Sequence, residues 1–287
     1  MPAAVTARSL RCGRFRLALD SPLVAGVVNV TPDSFSDGGR TLDPAAAIAH
    51  ARKLVDEGAD LVDIGAESSR PGAGSVSAEQ ELSRLMPVLE GLRALPVPVS
   101  VDTTKPEVMR AAIGAGAAMI NDIGALRSPG ALEVVAASDA GVCLMHMQGE
   151  PRTMQQSPSY EDVVEEVRAF LAERIAAAEA RGIARERIVI DPGFGFGKTV
   201  AHNFELLRDL RRLAEMGLPV MAGWSRKSTL GAVTGRGAGE RLAGSIAAAL
   251  LAVQHGATIV RVHDVAATRD ALAVLAAMDG HGDRGKQ

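Results

Sequence analysis

One alternation runs along almost the whole of this 287-residue chain. A short run rich in Val and Ile is followed by a turn, and then by a longer stretch rich in Ala, Leu, Glu and Arg. Because strands that alternate with helices must return by crossover connections, the pattern predicts a parallel sheet. The pattern occurs eight times, with strands predicted at 24–30, 61–66, 98–103, 119–123, 142–147, 188–193, 219–225 and 259–264.

Eight units of this kind favour a closed α/β barrel, the single (β/α)8 TIM barrel, which usually needs about 250 residues. We expect one domain over residues 1–287, with the barrel at about 22–279 and a frayed tail at 280–287. The first twenty residues predict a short N-terminal β-hairpin. The alternative fold is a doubly wound open sheet, but no glycine-rich nucleotide-binding turn follows the first predicted strand.

Capping residues mark the beginning of several predicted helices. Asp43 and Ser128 each stand directly before a proline. Proline has no N–H, so it leaves no donor unpaired at the first helical position, and the preceding side-chain oxygen can cap the helix. Ser77 is followed three residues later by Gln80, which is the spacing of a capping box. We therefore expect helices to begin directly after residues 43, 77 and 128.

Composition excludes several classes of function. The net charge is −3 and the chain has one Trp and one Tyr, which argues against a nucleic-acid-binding surface. No apolar stretch approaches the ~20 residues of a membrane span, and the N-terminus lacks the apolar core of a signal peptide. With two cysteines, a disulfide scaffold or a four-ligand zinc site is untenable. We expect a cytoplasmic protein with small-molecule ligands and no nucleic-acid or membrane partner.

Polar residues collect at the C-terminal ends of the predicted strands, where the loops of a TIM barrel form its active site. Strand side chains alternate between two faces, so Arg261 and His263 share one face while Val260 and Val262 share the other. Burying several polar groups without partners would cost about 1–3 kcal/mol each, so a ligand that pairs them is the better explanation. The residues concerned are Asn29, Asp102, Asn121, Asp191, Lys227, Arg261 and His263.

Other polar or reactive residues receive a structural interpretation. Asp122 and Asp264 flank strand ends, where aspartate most often caps a helix or forms a turn. His146 has the parity opposite to Met145, so both cannot face the lumen of the barrel, and we interpret His146 as structural. Cys143 lies in an apolar run and is interpreted as a small buried hydrophobic residue.

Long motifs at these strand ends resemble those of the dihydropteroate synthase family. The resemblance runs from about Val24 to the last predicted helix, and the length of the ungapped motifs makes chance similarity negligible. The motifs are NVTPDSFSDGG from Asn29, DIGAESSRPG from Asp63, SVDTTKP from Ser100, INDI from Ile120, MHMQG from Met145, DPGFGFGK from Asp191, SRKS from Ser225 and RVHD from Arg261.

This resemblance implies a transferase of folate biosynthesis, which joins 6-hydroxymethyl-7,8-dihydropterin pyrophosphate to p-aminobenzoate and gives 7,8-dihydropteroate and pyrophosphate. It implies a Mg²⁺ ion at Asn29 and competitive inhibition by sulfonamides. By position in the motifs, the implied pterin-binding residues are Asp102, Asn121, Met145, Asp191, Phe194 and Lys227. The implied pyrophosphate-binding residues are Asn29, Ser69, Arg70, Arg261, Val262 and His263. The implied p-aminobenzoate contacts, partly on mobile loops, are Phe35, Asp37, Ser69, Arg70, Pro71, Ser225 and Arg226.

These implied roles agree with the chemistry of the side chains. A pterin edge presents a guanidine-like row of donors, which carboxylates accept in bidentate fashion. Met145 and Phe194 would pack on the face of the ring. The roles divide the site into a pterin floor around Asp191 and an anion rim around Arg261 and His263. We therefore expect Arg261→Ala to spare the binding of a pterin that lacks pyrophosphate.

The chain departs from the family pattern at few positions. Ala66 replaces a usual glycine, and Ser69 stands where threonine is common, which removes a methyl contact near p-aminobenzoate. Trp224 precedes the Ser-Arg-Lys motif, where smaller residues are usual. By strand alternation Trp224 faces the helices, and we expect it to have a packing role.

Two alternative functions stay open. A pterin-binding methyltransferase that serves a corrinoid protein would share the pterin pocket. It would not need the Thr-Pro-Asp-Ser-Phe loop, the Ser-Arg-Lys motif, or Arg261 with His263. An inactive paralogue that acts as an assembly partner would have lost a site residue, and none is lost here.

A homodimer is predicted from the small residues of the helices at 241–254 and 266–278. Small side chains permit close approach between helices. Packing of these helices within one chain is the alternative.

Overall fold

The computed structural model describes residues 9–31, 43–67, 74, 76–150 and 153–278. Its strands are β1 Ser9–Cys12, β2 Phe15–Ala18, β3 Leu23–Asn29, β4 Leu61–Gly65, β5 Val99–Asp102, β6 Met119–Asp122, β7 Gly141–Met145, β8 Ile188–Asp191, β9 Met221–Ala222 and β10 Ile259–Val262. Its α-helices are α1 Pro44–Asp56, α2 Ala78–Leu92, α3 Pro106–Gly114, α4 Ala131–Ala136, α5 Val163–Ala180, α6 Val200–Arg208, α7 Arg211–Ala214, α8 Ser228–Thr234, α9 Leu242–Gln254 and α10 Val265–Met278.

Eight of these strands form one parallel sheet in the order β8-β7-β6-β5-β4-β3-β10-β9. A parallel bridge between Ile190 and Val220 joins the two ends of this order, so the sheet closes into a barrel. The predicted (β/α)8 TIM barrel is confirmed, and the alternative of an open doubly wound sheet is excluded.

Alternation along the strands builds two separate apolar layers. Val62, Val260 and Val262 face outward and pack in the large core between the sheet and the helices. Leu61 and Val189 have the opposite parity and belong to a smaller apolar layer inside the barrel. The prediction that the two valines of the last strand pack against helices is confirmed, which leaves the intervening Arg261 facing the lumen.

The N-terminal hairpin closes one end of this lumen. β1 and β2 pair antiparallel, as predicted. Leu10 and Cys12 are fully buried and pack with Leu61 and Cys143 in the lumen layer, where Cys143 is a buried free thiol. The lumen therefore opens at the other end, where the parallel strands have their C-terminal residues.

Two of the three predicted helix starts are confirmed. Asp43 accepts from the N–H of Ala45 at the start of α1, and Ser77 forms a capping box with Gln80 at the start of α2. The prediction at Ser128 is wrong, because Gly130 has φ +89° and α4 begins only after it. No helix of the described residues is long and apolar enough to cross a membrane.

Turns end two of the barrel strands, β6 and β9. Asp122 accepts from the N–H groups of Gly124 and Leu126, which confirms its interpretation as a turn former. β9 is shorter than the strand predicted at 219–225. The N–H of Lys227 donates to the carbonyl of Trp224 at 3.2 Å, so the chain already turns at that point.

Candidate active site

The open end of the lumen carries the polar side chains of several neighbouring strands. Asp102 of β5 is in register with Gly65 of β4 and with Asn121 of β6. Met145 of β7 is in register with Asp191 of β8. The charges of Asp102 and Asp191 both act on Arg261, so both carboxylates face the same part of the lumen. The structure thus brings Asp102, Asn121 and Asp191 together, as the sequence predicts.

Arg261 lies between two carboxylates in this lumen. Its Nε donates to Oδ2 of Asp63 at 2.6 Å, and its Nη2 donates to Oδ2 of Asp102 at 3.2 Å. Burial alone would lower the pKa of Arg261, but the charges of Asp63 and Asp102 raise it above its ordinary value. The guanidinium is therefore charged, and it contacts Asp102 of the predicted pterin floor as well as Asp63.

Both carboxylates predicted to bind the pterin are harder to ionise than a free aspartate. Burial raises the pKa of Asp102 to about 7, although the guanidinium of Arg261 acts in the opposite direction. Burial also raises the pKa of Asp191, whose Oδ1 accepts from the N–H of Gly193 at 2.6 Å. A ligand with a row of N–H donors would stabilise the charged form of both groups.

Lys227 enters the lumen from the loop that follows β9. Its Nζ donates to the carbonyl of Phe194 and lies 4.6 Å from the centre of the Phe196 ring. Burial lowers the pKa of Lys227 to about 8, while the charge of Asp191 acts to raise it. A half-buried ammonium beside a carboxylate can donate to the acceptor atoms of a bound ring.

The structure corrects the predicted position of Phe194. Its ring is fully buried in the core outside the barrel, with its centre 4.6 Å from that of Trp224, and so offers no face to a ligand in the lumen. Phe196 is the aromatic residue that packs with the lumen residue Met145. Both phenylalanines lie in a loop, where strand alternation no longer decides which side chain faces inward. The predicted packing role of Trp224 is confirmed.

Lys198 ties this glycine-rich loop to the end of β7. Its Nζ lies 2.9 Å from Nδ1 of His146 and donates to the carbonyls of Gly193 and Phe196 at 3.1 Å and 3.0 Å. Burial lowers the pKa of His146 to about 2, so the ring is neutral and its Nδ1 can accept from the Lys198 amino group. Gly193 has φ +69°, and a Cβ there would meet the carbonyl oxygen of His146 at 1.9 Å. His146 is a structural residue, as the sequence indicates.

Several predicted contacts lie at the rim of the lumen. Nδ1 of His263 is 2.9 Å from the Ser225 hydroxyl, which also accepts from the His263 N–H. Arg226 donates to Asp264 at 2.6 Å, and Asp264 directly precedes α10, where its backbone carbonyl accepts from the N–H of Thr268. The Val262 side chain is buried in the core outside the barrel, so only its backbone can face a ligand.

The predicted metal position has few protein ligands. Asn29 ends β3 and is half-buried, in register with Gly65 of β4. No group of three or more His, Cys, Asp or Glu side chains in the described part of the chain could hold a metal ion. Five other predicted site residues lie outside the described residues: Phe35, Asp37, Ser69, Arg70 and Pro71.

Asp63 is a lumen residue that reasoning from strand ends does not find. It lies in the middle of β4, it is 2% exposed, and its Oδ2 accepts from Asn121 as well as from Arg261. The sequence does carry a signal, because Asp63 is a lone carboxylate between apolar residues and shares the parity of Leu61 and Gly65.

Comparison with known proteins fits this geometry. Residues 25–263 match the family model described as pterin binding enzyme. A relative from Neisseria meningitidis serogroup B named dihydropteroate synthase is 52% identical over 275 residues, which cover 93% of this chain and 96% of the relative. This chain belongs to the dihydropteroate synthase family.

Solved structures of the family share the whole fold. The Xanthomonas albilineans dihydropteroate synthase with 4-aminobenzoic acid is 57% identical, with a TM-score of 0.90 over 96% of this chain and 99% of that chain. A complex of the enzyme from the same organism with 7,8-dihydropteroate is 51% identical, with a TM-score of 0.84 over 95% of this chain and 98% of that chain.

Proposed function

We propose that the chain condenses 6-hydroxymethyl-7,8-dihydropterin pyrophosphate with p-aminobenzoate and releases 7,8-dihydropteroate and pyrophosphate. The observation that carries the proposal is the set of groups at the open end of the lumen. Asp102, Asn121 and Asp191 supply acceptors for the donor edge of a pterin, and Lys227 supplies a donor for its acceptor atoms. Membership of the dihydropteroate synthase family supports the same conclusion.

Arg261 and Lys227 carry the positive charge that can stabilise a leaving pyrophosphate. The bond between the pterin methylene carbon and the pyrophosphate oxygen breaks, and its electron pair leaves with the oxygen. The amine of p-aminobenzoate forms the new C–N bond and gives up a proton to the leaving pyrophosphate or to water. Half-buried cations placed where negative charge develops stabilise the transition state, so no protein nucleophile is required.

Met145 and Phe196 form an apolar wall beside these polar groups. In our proposal this wall replaces the predicted contact of Phe194, and packs on the face of the pterin ring. An apolar wall keeps water away from the methylene carbon after the C–O bond weakens, and it strengthens the electrostatic interactions inside the lumen.

Ser225 and Arg226 are proposed to contact p-aminobenzoate, together with Phe35, Asp37, Ser69, Arg70 and Pro71. The support is their position, since the Ser225 hydroxyl and Arg226 lie at the rim above the lumen, where a second substrate must enter. Sulfonamides carry a similar aniline and are proposed as competitive inhibitors at this rim.

Magnesium is proposed to bind with the pyrophosphate, near Asn29. One neutral amide oxygen fits Mg²⁺ only as a minor ligand, since Mg²⁺ usually takes most of its ligands from phosphate oxygens and water. When bound, the ion would neutralise charge on the leaving pyrophosphate. The remaining anion contacts are proposed for Arg261, for His263 and for the backbone of Val262.

A homodimer is proposed from the exposed apolar side chains of the described residues. Val233 lies on α8, Leu242 and Leu251 on α9, and Val274 and Met278 on α10. Exposed apolar side chains concentrated on neighbouring helices are typical of an interface. The location of the protein in the cytoplasm stays a prediction.

The alternatives are less well supported. The relatives reported above are named as synthases, which favours condensation over methyl transfer to a corrinoid. An inactive paralogue is disfavoured because Asp102, Asn121, Asp191, Lys227 and Arg261 are all present and converge.

A coupled assay of pyrophosphate release tests the proposal. We expect sustained release from the pterin pyrophosphate only when p-aminobenzoate is added, with one 7,8-dihydropteroate formed for each pyrophosphate. Release that is independent of p-aminobenzoate, or the absence of release, would contradict the proposed function.

A further inference from the structure

Asp63 is a buried carboxylate to which none of the assignments above gives a role. Its Oδ2 accepts from Nε of Arg261 at 2.6 Å and from Nδ2 of Asn121 at 3.0 Å. Within the described residues, no group donates to its Oδ1. A buried charge with one unpaired oxygen is costly, so packing alone does not explain an aspartate inside a barrel strand.

The bond from Asn121 fixes the direction in which its amide faces. An amide group has an acceptor oxygen at one end and a donor nitrogen at the other. Because Nδ2 donates to Asp63, the planar group turns its Oδ1 away from Asp63. Asn121 is in register with Asp102 of the neighbouring strand, so its amide lies beside the Asp102 carboxylate.

The two bonds of Arg261 are unequal. The bond to Asp63 is 2.6 Å long and the bond to Asp102 is 3.2 Å long. Short charge-assisted hydrogen bonds are the stronger ones. A ligand that engages Asp102 has only the weaker hydrogen bond to displace, and the shorter one still holds the guanidinium at Asp63. The cation therefore remains in the pocket without competing for the carboxylate that receives the ligand.

We propose that Asp63 is a positioning residue that sets the specificity of the pocket, by fixing Asn121 as an acceptor and Arg261 as a tethered cation. This inference rests on the proposed function. The floor of the pocket then presents acceptors from Asp102, Asn121 and Asp191, which suits the donor row of a pterin. A ring with a carbonyl oxygen in place of the pterin amino group would bring oxygen against oxygen.

The test compares two ligands, pterin and lumazine, in which an oxygen replaces the amino group of pterin. Titration calorimetry on the full chain gives the two dissociation constants, and their ratio measures specificity. Asp63→Asn replaces the charged oxygen shared by Arg261 and Asn121 with a neutral amide oxygen, which weakens both hydrogen bonds and lets the Asn121 amide turn. We expect the wild type to prefer pterin, and Asp63→Asn to reduce that preference by about tenfold.

Asp122→Asn is the matched control. Asp122 is equally buried and ends β6, which is separated from β4 by β5, but its carboxylate accepts from the backbone N–H groups of Gly124 and Leu126. Its parity places it on the side of the helices. Asp122→Asn is expected to lower the thermal stability and to keep the ratio of the two dissociation constants.

A swap variant keeps the test decisive if Asp63→Asn does not fold. Asp63→Asn combined with Asn121→Asp keeps the charge of the lumen and restores an acceptor at position 121, so we expect it to recover the preference for pterin. The inference is overturned if Asp63→Asn weakens both ligands equally, or if the swap variant does not recover the preference. A wild type that does not prefer pterin would overturn the proposed function as well.

Discussion

Asp102 and Lys227 limit the pH range in which the lumen can bind a pterin. Burial raises the pKa of Asp102 to about 7, so its accepting, charged form is lost as the pH falls below that value. Burial lowers the pKa of Lys227 to about 8, so its donating, charged form is lost as the pH rises above that value. Both groups have the useful charge only in a narrow window.

We expect the affinity for pterin to pass through a maximum between these two pKa values. Calorimetry across a pH series measures it directly. Asp102→Asn should weaken binding and reduce the decline on the acidic side, to which Asp191, whose pKa burial also raises, still contributes. Lys227→Arg should move the decline on the alkaline side upward, because a guanidinium stays charged. An affinity that is constant from about pH 5 to about pH 9 would contradict this assignment.

A second prediction for a single residue concerns the binding of Mg²⁺ near Asn29. Asn29 offers one neutral oxygen, so phosphate oxygens and water must complete the octahedron of Mg²⁺. We expect Mg²⁺ to bind weakly alone and tightly with pyrophosphate, and Asn29→Ala to weaken only the second event. Equal affinity for Mg²⁺ with and without pyrophosphate, measured by calorimetry, would exclude this role.

The sequence predicts the orientation of Arg261 but not its partners. Strand parity correctly predicts that it faces the lumen, and the resemblance assigns it to the pyrophosphate. Only the structure places it against Asp63 and Asp102. Arg261→Ala would leave both carboxylates without their cation, so it is no longer expected to spare pterin binding. Sequence reasoning could not find this pairing because Asp63 and Arg261 lie far apart in the chain.

At the scale of elements, strands were predictable and loops were not. The alternation of apolar residues predicted every barrel strand, and the parity of Asp191 followed from it. The parity of Phe194 and Phe196 did not follow, because glycines with positive φ at 193, 195 and 197 turn the chain after β8. Ser128 and Pro129 predicted the wrong start for α4 for a similar reason. Gly130 has a positive φ, so the helix begins only after it.

Lys198 holds this loop, and Lys198→Met tests its role. The substitution leaves the carbonyls of Gly193 and Phe196 without their donor, which should lower the free energy of unfolding by about 1–3 kcal/mol. Pterin affinity should fall too, because the same loop carries Phe196. The control is Lys53→Met on α1, where the lysine is 70% exposed. Equal thermal stabilities of the two variants would show that Lys198 does not hold the loop.

At the scale of the whole molecule, the predicted dimer gains support from the helices. The sequence pointed to the small residues of the last two helices, and the structure adds that Val274 and Met278 on α10 are 72% and 66% exposed. Leu242 and Leu251 are exposed on the neighbouring α9. The composition of a helix could not show which of its faces stays uncovered.

Light scattering tests this surface. We expect the wild type to have the mass of two chains at micromolar concentration, and Val274→Glu to have the mass of one, because a charge would be buried in the interface. Val200→Glu is the control, since Val200 is also exposed but lies on α6. A wild-type mass near that of one chain would rule out the dimer.

The central claim is that the open end of the lumen is a pterin pocket with Asp191 on its floor. The most direct measurement is the affinity of a pterin without pyrophosphate for the wild type and for Asp191→Asn, by titration calorimetry. The substitution replaces a charged acceptor with an amide that brings donors toward donors. We predict a loss of about thirtyfold or more, which corresponds to about 2–5 kcal/mol, with little loss in Asp122→Asn. A folded Asp191→Asn variant that binds the pterin as tightly as the wild type would contradict the claim.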